Sequence, residues 1–252
     1  MYPAPGVAQS AFPSLKTLDL SARVEDEAAY KEELRELQLQ VLREQVRQRD
    51  EPRFPVIIVF EGVDAAGKGG VIRRLTGRLD PRGYRVIPVG PPDPAERLHH
   101  WLWRFQARMP RKGEIVIWDR SWYGRVLVER VEELCSKEEW QRAYGEIAAF
   151  ERSYSDAGAV IAKFWLQISK DEQLRRFRER EQDPFKEYKI GPEDWRNREK
   201  WDDYMIAAED MFRRTDQPAA PWTVVSAEDK RYARLRVLGT VVRSLQAAWQ
   251  DD

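Results

Sequence analysis

Apolar positions along the chain follow two different rhythms. From Glu25 to about Arg49, Leu34, Leu37, Val41 and Leu42 recur at helical spacing, with acids early and arginines late as the helix dipole favours. This predicts an amphipathic helix packed on the core, with self-association as a second use of the same face. Thereafter the apolar residues come in unbroken runs: Val56 to Phe60, Tyr84 to Val89, Glu114 to Asp119, Val160 to Ser169 and Trp222 to Ser226, separated by helical or mixed stretches. Continuous rather than alternating apolar strands joined by helices imply a parallel sheet covered on both faces. The expected fold is therefore α/β, a doubly wound parallel sheet of about five strands. In such sheets ligands bind beyond the carboxyl ends of the strands, so chemistry is to be sought just after each run.

Composition narrows the function classes. Residues 1–24 carry Pro3, Pro5 and Pro13 with no sustained period and read as an N-terminal arm; residues 25–252 read as a single domain. The 43 Lys and Arg balance 43 Asp and Glu, so global attraction to nucleic acid or to an anionic membrane is not expected and any anion site must be local. The single cysteine, Cys135, excludes an intrachain disulfide and a thiolate metal centre, and the adjacent pair His99 and His100 argues against a zinc enzyme. No apolar run approaches the roughly 20 residues of a membrane span, and the first residues lack the pattern of a signal peptide. A soluble, cytoplasmic protein is expected.

The most specific chemical signal is Gly62-Val63-Asp64-Ala65-Ala66-Gly67-Lys68-Gly69, which fits G-x-x-x-x-G-K between an apolar run and a helical pattern. Glycines permit a tight loop whose backbone N–H groups converge on phosphate oxygens; the following helix N-terminus and Lys68 add positive charge. Gly69 stands where nucleoside triphosphatases place a metal-binding hydroxyl, so another group must hold the cation. Asp64, inside the loop, is the candidate, because a carboxylate there repels phosphates unless a divalent cation lies between them. Asp119 closes the run EIVIWD and is the second candidate metal ligand; Arg120, Ser121, Tyr123 and Arg125 follow it.

These residues, GVDAAGKGG, then LDPRGYRV, LWRF, PRKGEIVIWDRSWYGRVLVERV and ISKDEQ, resemble the polyphosphate kinase type 2 family from about Pro55 to Trp201. The resemblance implies a P-loop kinase-like fold with a helical lid, at about residues 171–215 here, and phosphoryl transfer between inorganic polyphosphate and adenine or guanine nucleotides. It also implies Mg²⁺, with Mn²⁺ as a substitute, and a homo-oligomer. DRSWYGRVLVERVE looks most like the AMP-phosphorylating branch. Asp64, Lys68, Asp119 and Arg120 would form the reaction centre, with Arg176 and Arg180 closing from the lid and Lys189 beyond its turn. Gly62, Val63, Ala65, Ala66, Gly67, Gly69, Gly70, Arg73, Arg104, Ser121, Tyr123 and Arg125 are the expected substrate contacts.

Arg176 and Arg180 are four residues apart, hence on one helical face. From Arg97 to Arg125 seven basic residues face only Glu114 and Asp119, an excess that suits a polyphosphate path. Trp101, Trp103 and Phe105 are expected mainly in the core, with His99 and His100 exposed on the same helix. Two other readings compete: an ATP-dependent nucleoside monophosphate kinase, which Gly69 argues against, and a non-catalytic polyanion binder, which zero net charge and the retained Lys68 and Asp119 argue against.

Overall fold

A computed structural model describes residues 12–250. Five parallel strands form one sheet in the order β2-β3-β1-β4-β5: β1 (Val56–Gly62), β2 (Tyr84–Pro88), β3 (Ile115–Asp119), β4 (Val160–Gln167) and β5 (Trp222–Ser226). The chain reverses direction of travel across the sheet at β1, so the ends of β1 and β3 meet over a crevice. The register places Phe60 beside Asp119 and Glu61 beside Trp165. β1, β3 and β4 are buried almost throughout, as unbroken apolar runs require. β2 departs from the expected pattern of burial on both faces. Arg85, Val86 and Pro88 are exposed, because β2 is the sheet edge and has a neighbour on one side only.

Nine α-helices lie among the described residues: α1 (Glu27–Asp50), α2 (Lys68–Thr76), α3 (Trp103–Gln106), α4 (Val128–Val131), α5 (Lys137–Ser155), α6 (Lys170–Glu181), α7 (Pro192–Glu199), α8 (Trp201–Thr215) and α9 (Lys230–Ala247). α1 starts where Asp26 caps the Ala28 and Ala29 N–H groups. It packs along α9, with Arg231 paired to Glu27 and Arg234 donating to the Tyr30 hydroxyl. The apolar side of α1 is therefore occupied within the chain. Of the expected arm, residues 1–11 lie outside the described residues. Ser14 and the Leu15 N–H both bond to Glu209 on α8.

Beneath the sheet an ionic cluster is sealed in the core. Lys163 Nζ donates to Glu151 Oε2 at 2.7 Å, to the Tyr123 hydroxyl at 2.9 Å and to the Thr215 carbonyl at 2.8 Å, and neither charged side chain is more than 1% exposed. Tyr123 and Trp122 both donate to Glu151 Oε1. Burial pushes the Lys163 ammonium down, while Glu151 beside it acts in the opposite direction. With every donor and acceptor matched, this knot ties β4, α5, α8 and the turn after β3 into one frame. No helix among the described residues is long and apolar enough to cross a membrane.

Candidate active site

The loop between β1 and α2 owes its shape to three left-handed backbone positions: Gly62 (φ +140°), Ala65 (φ +62°) and Gly67 (φ +106°). At Gly62 the requirement is steric as well, since a Cβ would stand 2.3 Å from the Leu166 carbonyl oxygen of β4. The leading N–H groups of α2, at Lys68 and Gly69, have no intrahelical acceptor, while the Gly70 N–H already bonds to the Gly67 carbonyl at 2.9 Å. Together with the helix dipole they form a cradle for an anion. A Cβ at Gly69 would meet nothing within 4 Å, so packing does not demand the glycine that replaces the usual hydroxyl residue. Lys68 Nζ folds back over the loop and donates to the carbonyls of Gly62 (2.7 Å) and Val63 (3.3 Å).

Asp64 is the hub. Its Oδ1 accepts from Arg120 Nη2 at 3.0 Å and its Oδ2 from Asn197 Nδ2 of α7 at 2.8 Å; its backbone carbonyl accepts from Gln173 of α6 at 3.1 Å. Tyr204 of α8 donates to the other end of the Asn197 carboxamide. The loop is thus bonded to α6 and α7 through one residue. Burial pushes the Asp64 carboxyl up, but the Lys68 and Arg120 charges and the Asn197 bond outweigh it and leave the group below its ordinary value. Lys68 is shifted down, by burial first and by Arg120 second, against the pull of Asp64, Asp119 and Glu61. Arg120 itself sits at φ +65°, a strained position for a residue with a Cβ, held by its N–H bond to the Phe60 carbonyl.

Asp119 ends β3 beside the end of β1 and is half-buried. Asp64 and Asp119 therefore flank one crevice. Among the described residues no group of three or more His, Cys, Asp or Glu could cage a metal. That donor set fits Mg²⁺, which takes one or two protein carboxylates and completes its shell with water and substrate phosphate. It does not fit a structural zinc or calcium cage.

Several residues in the crevice escaped the sequence reading. Glu61, one residue before the loop, is buried and accepts from Ser121 Oγ at 2.8 Å. Burial raises its carboxyl, and the Ser121 bond with the Lys68 and Arg120 charges offsets only part of the rise. A carboxylate closing an apolar strand was the available signal for it. Asn197 and Tyr204 had none, being more than 130 residues from Asp64 in sequence. A cleft beside the loop is walled by Leu127, Trp165, Trp201 and Tyr204, with Glu61 and Asp64 at one end.

Other expected residues have different work. Arg176 is buried and all five of its N–H groups are committed: to Ala65 (3.0 Å), Ala66 (3.1 Å), Ala227 (2.7 Å) and Glu228 (2.9 Å) carbonyls and to Glu172 Oε1 (2.5 Å). It cannot arrive as a free guanidinium on phosphate; it clamps the loop from behind. Tyr123 belongs to the buried Lys163–Glu151 cluster and does not reach the crevice, and Ser121 is buried against Glu61. Arg180 shares the α6 face but is half-buried, close enough to Asp64 and Asp194 to feel both charges, and donates to the Lys189 carbonyl at 3.1 Å. Lys189 and Arg73 are exposed.

The basic excess of residues 97–125 is largely answered by acids. Arg104 and Arg108 pair with buried Glu96, Arg111 with Glu114 and Arg125 with Glu129. Glu96 and Glu129 lie just outside residues 97–125, so the charge balance of that segment alone does not include them. Nor is this segment one helix: a 3₁₀ turn at Glu96–Leu98 and the short α3 leave His99 and His100 between them, both exposed, with His99 stacked on Trp103 at 4.1 Å. Phe105 is buried, Trp101 half-buried and Trp103 exposed.

A parallel sheet in this order, a glycine loop opening into a helix, an acid at the adjoining strand end and helices bonded back to the loop define a P-loop kinase-like α/β protein. Comparison with known proteins agrees and sharpens it. The family model described as Polyphosphate kinase 2 (PPK2) matches residues 24–252, and the chain belongs to that family. The chain is 49% identical over 238 residues to a polyphosphate:AMP phosphotransferase of Pseudomonas aeruginosa, covering 94% of this chain and 48% of the relative. To the protein of the same description from Acinetobacter johnsonii it is 48% identical over 244 residues, 97% of this chain and 50% of that one. The chain thus spans about half the length of these curated relatives. The solved polyphosphate kinase 2 of Arthrobacter aurescens TC1 superposes with a TM-score of 0.88 at 32% identity, covering 96% of this chain and 88% of the other.

Proposed function

We propose that this chain carries out Mg²⁺-dependent phosphoryl transfer between inorganic polyphosphate and a nucleotide, with AMP as the preferred acceptor and ADP as a further one. The observation that carries the reading is the Asp64 hub: a carboxylate placed inside a phosphate cradle, ion-paired to Arg120 and hydrogen-bonded across the crevice to Asn197. The descriptions of relatives at 48–49% identity support AMP as acceptor.

In the reaction a terminal phosphoryl group of polyphosphate lies in line with a phosphate oxygen of the nucleotide. A new P–O bond forms to that oxygen as the P–O bond to the shortened polyphosphate breaks. The acceptor oxygen is already anionic, so no protein base is needed, and catalysis rests on positioning and charge neutralisation. The α2 amides and Lys68 hold phosphate oxygens at the cradle, while Arg120 and Arg180 meet charge on the transferring group. Arg176 keeps the loop in shape without touching substrate. Asp64 and Asp119 would hold Mg²⁺, which would supply charge that neutralises the substrate phosphates. Residues 25–252 act as one domain; of the lid expected at about 171–215, α8 is held in the core frame by Thr215 and Phe212, so α6 and α7 are the part that covers the loop, and the Asn197–Asp64 bond is its latch, excluding water that would otherwise hydrolyse the donor. The cytoplasm, where adenine nucleotides are held, is the setting for such a reaction.

The test is to incubate purified protein with Mg²⁺, AMP and polyphosphate in the absence of ATP. ADP should form; ADP formation that requires ATP as donor would replace this reading by an ATP-dependent nucleoside monophosphate kinase.

A further inference from the structure

Gly69 and Gly70 leave the first turn of α2 bare. A Cβ at Gly69 would meet nothing within 4 Å, and one at Gly70 would meet only Arg234 Nη2 of α9, at 3.9 Å. Neither glycine has a positive φ. Packing and backbone conformation therefore leave both unexplained, although glycine weakens a helix relative to alanine. The remaining use of glycine is to let another group approach the backbone closely.

Beyond the bare turn lies a cluster of arginines. Arg73 follows Gly69 by four residues and Arg74 follows Gly70 by four, so each stands one turn further along the same face of α2. Arg74 and Arg234 both bond to the hydroxyl of the buried Tyr30 on α1, Arg234 through Nη1 at 3.1 Å. A hydroxyl acceptor fixes two guanidinium groups in place without supplying a counter-charge. No carboxylate among the described residues pairs with Arg73, Arg74 or Arg234, and Glu27 of α1 is taken by Lys31 and Arg231.

The cluster is open to solvent. Arg73 is exposed, Arg74 and Arg234 are half-buried, and none of their unbonded nitrogens is a buried atom without a partner. Burial pushes the Arg74 guanidinium down from its ordinary value, the Arg234 and Arg73 charges push it the same way, and Tyr30 opposes them. Three cations held together without an acid, starting one turn from the phosphate cradle, suit an extended anion that passes over the bare glycines. A nucleic-acid strand would call for stacking aromatics beside the cations. Tyr30, the aromatic of this cluster, is buried and offers no face to a base.

We propose that the inorganic polyphosphate donor leaves the cradle across Gly69 and Gly70, with its distal phosphates on Arg73, Arg74 and Arg234. The inference rests on the phosphoryl-transfer reading. It puts the polyphosphate path at the junction of α2 and α9, away from residues 97–125, where acids engage Arg104, Arg108, Arg111 and Arg125.

The full chain is titrated calorimetrically, without nucleotide, with tripolyphosphate and with long-chain polyphosphate. The long chain should bind more tightly than tripolyphosphate, which the cradle alone accommodates. Arg74→Gln and Arg234→Gln should each weaken long-chain binding by about tenfold, the scale of one charge-assisted hydrogen bond lost, and leave tripolyphosphate binding unchanged. The slope of log K against log salt should become shallower by about 0.7 per arginine, as for single-stranded polyanions. Arg73→Glu, at an exposed position, decides the matter if either variant unfolds, with thermal unfolding as control. Equal binding of the two polyphosphates by the parent protein, or undiminished long-chain binding by Arg73→Glu, would overturn the proposal. So would an oligothymidylate of equal charge that competes as well as polyphosphate, which would make the cluster a general polyanion site. Failure of tripolyphosphate and the long chain alike to bind would overturn the donor reading itself, and the proposal with it.

Discussion

Arg176 donates through Nη1 to the Ala65 carbonyl at 3.0 Å, joining α6 to the one left-handed alanine of the phosphate loop. Two carbonyls of that loop and two after β5 converge on this one buried guanidinium, whose charge Glu172 balances. The arrangement holds the loop from the face away from the crevice, so any effect of Arg176 on the proposed reaction runs through the backbone that it fixes.

Arg176→Ala should accordingly destabilise the protein, by about 3 kcal/mol as for other broken buried pairs, because four carbonyls and Glu172 lose their donor together. Arg176→Lys should recover only part, since an ammonium cannot span the fork. Urea unfolding measures the loss. Unchanged stability with a reduced kcat would instead return Arg176 to direct contact with the transferring group.

The sealed Lys163–Glu151 pair predicts strong coupling. Lys163→Met alone strands a buried carboxylate and should cost about 3–5 kcal/mol, whereas Lys163→Met with Glu151→Leu should recover much of that loss. A double-mutant cycle read by denaturant midpoints checks this, and additive losses would mean that the two charges do not depend on each other.

Asp64→Asn and Asp119→Asn should each lower turnover by about 10²- to 10³-fold, the scale of losing one preorganised electrostatic group, with the apparent Mg²⁺ requirement raised. The Asp119 variant should melt close to the parent, and the Asp64 variant below it, since Arg120 and Asn197 lose their ionised partner. A near-normal rate with unchanged Mg²⁺ dependence in either would remove that carboxylate from the metal site.

Glu61 gives a pH signature. Its carboxyl is raised in the folded chain, so the folded form binds the proton more tightly than the unfolded one. The stability it contributes is complete below the unfolded value, about 4.3, and is lost as pH rises through the folded value. Asp64, shifted down, works in the opposite sense at the acid end: its contribution is present above its unfolded value, about 3.9, and is lost as pH falls through its folded value. Glu61→Gln keeps an acceptor for Ser121 and should gain stability relative to the parent between pH 5 and pH 8. Parallel stability curves for the two proteins would show that Glu61 does not titrate in this way.

Much of the architecture was legible because it follows from local periodicity. Unbroken apolar runs separated by helical stretches dictate buried parallel strands, and the spacing of Gly62, Gly67 and Lys68 dictates a loop whose backbone must turn left-handed before a helix. Charge pairing was not legible at the same level. The run of cations from Arg97 to Arg125 looked free because Glu96 and Glu129, its partners, are fixed only by the fold of the surrounding turns.

What the sequence by itself determined, then, is the strand and loop scaffold and the identity of Asp64, Lys68 and Asp119 as the groups beside it, because hydrophobic period and glycine geometry act over a few residues. Tertiary structure alone decided which side chains face that scaffold. It turned Arg176 inward to backbone carbonyls, sank Tyr123 into a core ion cluster and brought Asn197 to Asp64 from 133 residues away. Those outcomes depend on how helices and loops pack over the sheet ends, and a guanidinium four residues along a helix from another carries no mark of whether solvent or a carbonyl will meet it.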